Sequence, residues 1–183
     1  RASSEEVAKE MDRLRYQYNL RQEFIGVGID RLDYTKGIPE RLKAIDLFLS
    51  KNPQYEGRFT FVQVGEASRM HVDEYKKINE EIDGLIEDIN WRHWRGRWKP
   101  ILYIKERLSF LTLIALQRLT NFCLVSSLHD GMNLVAKEFV SSRVDGDGVL
   151  ILSGFTGAAG ELSEALLVNP YSRDAIAEAI DKA

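Results

Sequence analysis

Apolar positions along the chain alternate between two spacings. Val7, Met11, Leu14 and Tyr18 recur every three or four residues, on one face of a helix, and Ser3 with Glu6 supplies a capping box in front of them. Phe24 to Ile29 is instead a short, apolar, β-branched run that predicts a strand. A polar turn from Asp30 to Gly37 follows. Pro39 suits a first helical turn, and Leu42, Ile45 and Leu49 keep the helical spacing until Asn52-Pro53 ends it. Phe59 to Val64 predicts a second strand, closed by Gly65; Tyr75, Ile78, Ile82, Leu85 and Ile89 then mark a long amphipathic helix from Val72. Ile101 to Ile104 is a third strand, and Ser109 caps a helix running to about Leu119. A fourth strand spans Phe122 to Val125, a helix about Met132 to Ser142, and two more strands Val149 to Leu152 and Leu166 to Val168. Ser172 caps the closing helix.

Strand and helix alternate throughout, without a two-residue hairpin signal. This order predicts an α/β fold: a Rossmann-like parallel sheet with helices on both faces. Ligands in such sheets sit beyond the carboxyl ends of the strands, where the strand order reverses, so the loops that follow strands are the places to look. The length of 183 residues fits a single domain spanning 1–183.

Composition narrows the partners. Apolar residues make up 44% and charged residues 29%, with a net charge of -3, so no global attraction to nucleic acid or an acidic membrane exists and any anion site must be built locally. The one cysteine, Cys123, can form no intrachain disulfide, which suits a reducing cytoplasm. No apolar run approaches the roughly 20 residues that span a bilayer, and the polar start at Arg1 to Glu10 has no signal-like core. A first residue other than methionine, inside a helix-like segment, suggests an excised piece of a longer protein.

Two loops carry candidate chemistry. Arg31-Leu32-Asp33-Tyr34-Thr35-Lys36-Gly37 sets two cations five residues apart between a strand and a helix. A guanidinium fork and an ammonium there can neutralise a diphosphate and stabilise a phosphate leaving group. A solvated pair of surface charges is the alternative. Gly26 and Gly28 suggest a dinucleotide fingerprint, but Arg31 stands at the third glycine position and the match fails.

The second loop is His129-Asp130-Gly131-Met132-Asn133-Leu134-Val135-Ala136-Lys137-Glu138. Gly131 lets the backbone approach a ligand, and the amides of Met132, Asn133 and Leu134 open a helix whose amino end attracts anions. Asp130 can accept hydrogen bonds from two sugar hydroxyls, and Glu138, about a turn and a half along the helix, can reach a ribose diol. An acidic helix cap and an exposed helix charge would explain Asp130 and Glu138 singly, but not Gly131 with them.

Elsewhere, Trp91 to Lys99 mixes bases and aromatics as single-strand nucleic-acid platforms do. Its place between a long helix and a strand predicts instead a packed connector with its tryptophans tucked against the sheet. His71, His93 and His129 lack metal-ligand spacing, so no metal is expected; Cys123 lies mid-strand and reads as core. No Gly-x-Ser-x-Gly elbow is present.

The segments Arg31 to Gly37 and Asp130 to Glu138 resemble the two donor-binding signatures of the trehalose-6-phosphate synthases. The likeness extends through Val64 to Arg69, Ser126 to His129 and Ser153 to Leu162 with its Gly-Phe-x-Gly-Ala pattern, and covers nearly the whole chain. It implies the C-terminal, Rossmann-like half of a two-domain GT-B transferase, with the N-terminal acceptor domain lying outside this sequence. It implies transfer of glucose from UDP-glucose to glucose 6-phosphate with retention, needing neither cofactor nor metal. Residue by residue, it assigns the donor diphosphate to Arg31 and Lys36 and the transferred glucose to Asp130. It gives the phosphate cradle to the Gly131 to Leu134 backbone, the ribose to Glu138 and the acceptor's phosphate to Arg69. Gly65-Glu66-Ala67 departs from the family, in which many members carry a proline. A non-catalytic nucleotide-sugar or phosphate sensor, and a synthase with another phosphorylated acceptor such as glucosylglycerol-phosphate synthase, share these features. An oligomer is compatible with the full-length protein.

Overall fold

The structure, a computed structural model, describes residues 4–67 and 71–183. The Ser3 cap and Arg69 lie outside the described residues. Six strands form one sheet: β1 (Phe24–Arg31), β2 (Phe59–Glu66), β3 (Ile101–Ile104), β4 (Phe122–Val125), β5 (Val149–Ser153) and β6 (Leu166–Val168). Their spatial order is β3-β2-β1-β4-β5-β6, and every pairing is parallel. The order reverses between β1 and β4, the first and fourth strands along the chain, so the two candidate loops leave the sheet side by side.

Alternation along each strand decides what covers each face. Helices α2 (Ile38–Lys51), α3 (Val72–Arg92) and α6 (Arg173–Lys182) send Leu42, Ile45, Phe48, Ile78, Ile82 and Ile176 onto one face, where Phe59, Phe61 and Phe122 meet them. Helices α1 (Ser4–Gln17), α4 (Phe110–Leu119) and α5 (Leu134–Ser142) cover the other, with Val7, Leu14, Leu116 and Phe139 against Val27, Val62, Cys123 and Val125. Each fully buried side chain of this size contributes about 1.5–3 kcal/mol. Ser109 and Ser172 cap α4 and α6 through Thr112 N and Ala175 N. Among the described residues no helix is long and apolar enough to cross a membrane.

Three differences from the sequence reading have local causes. β1 runs on to Arg31 and β2 to Glu66, because their ladder continues in register from Phe24↔Phe59 to Arg31↔Glu66. The helix expected from Met132 starts at Leu134, because Asn133 takes the cap position. In the tryptophan segment only Trp98 is tucked in, its indole N–H donating to the Phe59 carbonyl at 2.8 Å. Trp91, on the last turn of α3, and Trp94, just past its end at Arg92, are 76% and 46% exposed and pack on each other rather than on the sheet. Arg92 and Arg95 of this segment pair with Asp46 and Glu56. Cys123 is buried in the core, and burial pushes its thiol up to about 12.

Candidate functional site

Past Arg31 the chain turns at Asp33, whose carboxylate accepts hydrogen bonds from the Thr35 amide at 2.8 Å and hydroxyl at 2.7 Å. A single 3-10 turn, Tyr34–Lys36, ends at Gly37, which sits at φ 61. A β-carbon on Gly37 would stand 2.2 Å from the Ser126 carbonyl, so only glycine makes both the left-handed turn and the close approach to the end of β4. Leu128 N donates to Thr35 O at 2.7 Å, joining the two loops. The result aims Lys36 across the crevice, where its Nζ lies 2.7 Å from Asp130 Oδ2.

Asp130 is gripped from its own loop as well. Its Oδ1 accepts from Met132 N at 3.2 Å and its Oδ2 from Asn133 Nδ2 at 3.1 Å. The cap of α5 is Asn133, at φ 72, whose Oδ1 accepts from Ala136 N at 2.9 Å. With Asn133 in this role, the amides of Met132 and Asn133 belong to the turn and Leu134 is the first helical residue. Asp130 is therefore no helix cap. Burial would raise its carboxyl, but the Lys36 ammonium, the Met132 amide and Asn133 together hold it below the ordinary aspartate value. The Asp130 carboxyl is therefore ionised at neutral pH.

The segment after β5 braces this turn. Gly157 N donates to Asp130 O and Ala158 N to Met132 O, both at 2.9 Å, and Asp130 and Thr156 form an isolated parallel bridge. The Gly-Phe-x-Gly-Ala pattern at 154–158 thus holds the Asp130 turn, a role its composition alone did not disclose.

Arg31, Lys36, Asp130, Met132, Asn133 and Leu134 line one hollow of about 340 Å³. Ile29 and Asp30 of β1 also line it. Arg31 stands at the rim with its side chain 59% exposed and, among the described residues, a long 3.9 Å contact to Asp33. Gly131 is exposed, and a β-carbon built on it meets nothing within 4 Å. Glu138 is exposed on α5 outside the hollow, four residues or roughly 6 Å of helix rise beyond Leu134. Hollows of about 490 and 650 Å³ lie elsewhere, beside α1 and beside the end of α5, away from the carboxyl ends of β1 and β4.

Beneath the site is a group the sequence reading passed over. Arg41 of α2 is fully buried and ion-paired with Asp30, and it also donates to Gln63 Oε1 at 2.9 Å and Ser126 Oγ at 3.0 Å. The signal was available: Gln63 interrupts an apolar strand, and Gly28 supplies the space, since a β-carbon there would stand 2.2 Å from Arg41 Nη1.

A model of glycosyltransferase family 20 matches residues 1–183. An alpha,alpha-trehalose-phosphate synthase [UDP-forming] of Candida albicans is 44% identical over 154 residues, 84% of this chain and 32% of that protein. A trehalose-6-phosphate synthase of Sodalis glossinidius is 44% identical over 158 residues, 86% of this chain and 34% of that protein. Among solved structures, the E. coli trehalose-6-phosphate protein bound with UDP-2-fluoro glucose superposes with a TM-score of 0.89 at 36% identity, over 99% of this chain and 42% of its own. The Burkholderia xenovorans alpha,alpha-trehalose-phosphate synthase (UDP-forming) in complex with glucose-6-phosphate gives 0.88 at 36%, over 97% and 41%. This chain spans about a third of the length of the curated relatives it matches. The matched model, these identities and the shared doubly wound sheet lead to one conclusion: the chain belongs to glycosyltransferase family 20.

Proposed function

We propose that this chain forms the nucleotide-sugar side of a retaining glucosyltransferase that makes trehalose 6-phosphate from UDP-glucose and glucose 6-phosphate. One observation carries the reading: Arg31, Lys36 and the first residues of α5 face a single hollow with Asp130 in its wall. Without a ligand, Lys36 and Asp130 neutralise each other and Arg31 is left as an exposed cation. An entering diphosphate draws the Lys36 ammonium and the Arg31 guanidinium to itself, aided by the amino end of α5. Asp130, released from Lys36, then accepts hydroxyls of the glucose.

Glu138 lies one helical turn along α5 from that end, in range of the ribose of the same nucleotide, and Arg69 is assigned to the acceptor's phosphate. The relatives solved with UDP-2-fluoro glucose and with glucose-6-phosphate support both substrates. In the transfer, the bond from glucose C1 to the β-phosphate oxygen breaks. An acceptor hydroxyl bonds C1 on the same face, and its proton passes to the departing phosphate oxygen. The protein supplies position and positive charge, with no side-chain nucleophile and no metal in the scheme. Further acceptor contacts come from an N-terminal domain outside this sequence. The buried, unpaired Cys123 suits work in the cytoplasm.

Isothermal titration of the chain with UDP, UDP-glucose and GDP-glucose tests this. Micromolar-to-millimolar binding of UDP and UDP-glucose is expected. Absence of binding by all three overturns the assignment of the hollow.

A further inference from the structure

A fully buried arginine needs a reason. Replacing a buried ion pair with apolar side chains is often neutral or stabilising, so Arg41 and Asp30 are not explained by stability alone. Their location suggests another use. The backbone ladder between β1 and β4 covers only Gly26↔Phe122 and Val27↔Cys123. Just past its end the Arg41 guanidinium takes over, binding Asp30 at the end of β1, Gln63 of β2 and Ser126 beyond β4.

Ser126 passes that hold to the site. Its Oγ accepts from Arg41 Nε at 3.0 Å, and guanidinium nitrogens can only donate. The one hydroxyl proton is therefore directed away from Arg41, and it points to the carbonyls of Gly37 at 2.9 Å and Lys36 at 3.3 Å. The backbone of the residue that reaches Asp130 is thus tied to a fully enclosed side chain.

We infer that Ser126, oriented by Arg41, is a positioning residue that sets the reach of Lys36 toward Asp130 and toward the diphosphate. This rests on the proposed donor reading for its ligand but not for its geometry. Loss of the hydroxyl removes its bonds to the Lys36 and Gly37 carbonyls, leaving Gly37 O on the Arg41 amide at 3.1 Å, and so lets the 3-10 turn relax and weakens the Lys36–Asp130 contact.

The test compares Ser126→Ala and Ser126→Thr with the parent chain in two measurements. The first is a carbon-13 NMR titration of the Asp130 carboxyl without ligand. Ser126→Ala should move its midpoint up toward the ordinary aspartate value, and Ser126→Thr, which keeps the hydroxyl, should return it. The second is calorimetric binding of UDP, which should weaken about fivefold or more in Ser126→Ala and recover in Ser126→Thr. A merely structural role would lower thermal stability and leave the Asp130 midpoint in place. If Ser126→Ala does not fold, Ser126→Cys gives the same comparison with a similar shape and a weak donor. An unchanged Asp130 midpoint with UDP affinity within about twofold of the parent overturns the inference. Should the parent chain itself not bind UDP, the donor reading fails while the Asp130 titration still decides this one.

Discussion

A β-carbon on Gly157 would stand 2.0 Å from the carbonyl oxygen of Gly131. Two loops from different strands therefore touch through bare backbone, and the Asp130 turn has its shape because Gly157 carries no side chain. Gly157→Ala should displace the turn and weaken UDP binding about tenfold or more while circular dichroism stays native. Gly131→Ala is the contrasting case. Its β-carbon enters open space, so thermal stability should hold while binding falls through obstruction of the ligand itself.

Arg31 takes little part in holding the fold. Arg31→Ala should change unfolding free energy by no more than about 0.5 kcal/mol. On the proposed function, the same change in the full-length protein should lower turnover about 10²- to 10³-fold, the cost of losing one oriented charge donor. Urea unfolding of the chain and steady-state rates of the full-length protein check the two halves. Wild-type turnover removes Arg31 from the chemistry.

Acid should separate the Lys36–Asp130 contact in a defined direction. The carboxyl is held below its ordinary value in the folded chain. The stability it contributes is therefore complete above the unfolded aspartate value and is lost as pH falls through the lowered folded one. In Lys36→Met the upward push of burial remains and its strongest opponent is gone, so Asp130 should titrate higher. Carbon-13 titration of the carboxyl in both proteins measures the shift.

The tryptophans should divide by position. Trp98→Ala removes a buried ring and a hydrogen bond and should cost about 3–5 kcal/mol. Trp91→Ala should stay within about 0.5 kcal/mol. Denaturant midpoints on the two variants decide it.

Helical periods disclosed the helices and short continuous apolar runs the six strands, since both faces of this sheet are buried. Boundaries failed where a polar residue has a private partner. Asp30 reads as turn, yet it lies inside β1, where the ladder to β2 runs on to Arg31↔Glu66 and Arg41 of α2 pairs with its carboxylate. Met132 reads as helix, yet Asn133 claims the cap in a backbone conformation that no periodicity reports. That Arg31, Lys36 and Asp130 line one hollow follows from their places in short loops after two strands that the structure sets side by side. The Gly157 brace and the Ser126 hydroxyl were not legible, because each depends on contacts between loops distant in sequence.

The two-rung ladder joining β1 to β4 also bears on redesign. Past those rungs β1 is joined to the chain after β4 through Arg41, which packs over Gly28, so the mouth of the crevice is set from the interior. Grafting new surface loops would change what lines that mouth without widening it. Admitting a bulkier sugar nucleotide would require repacking between α2 and the sheet.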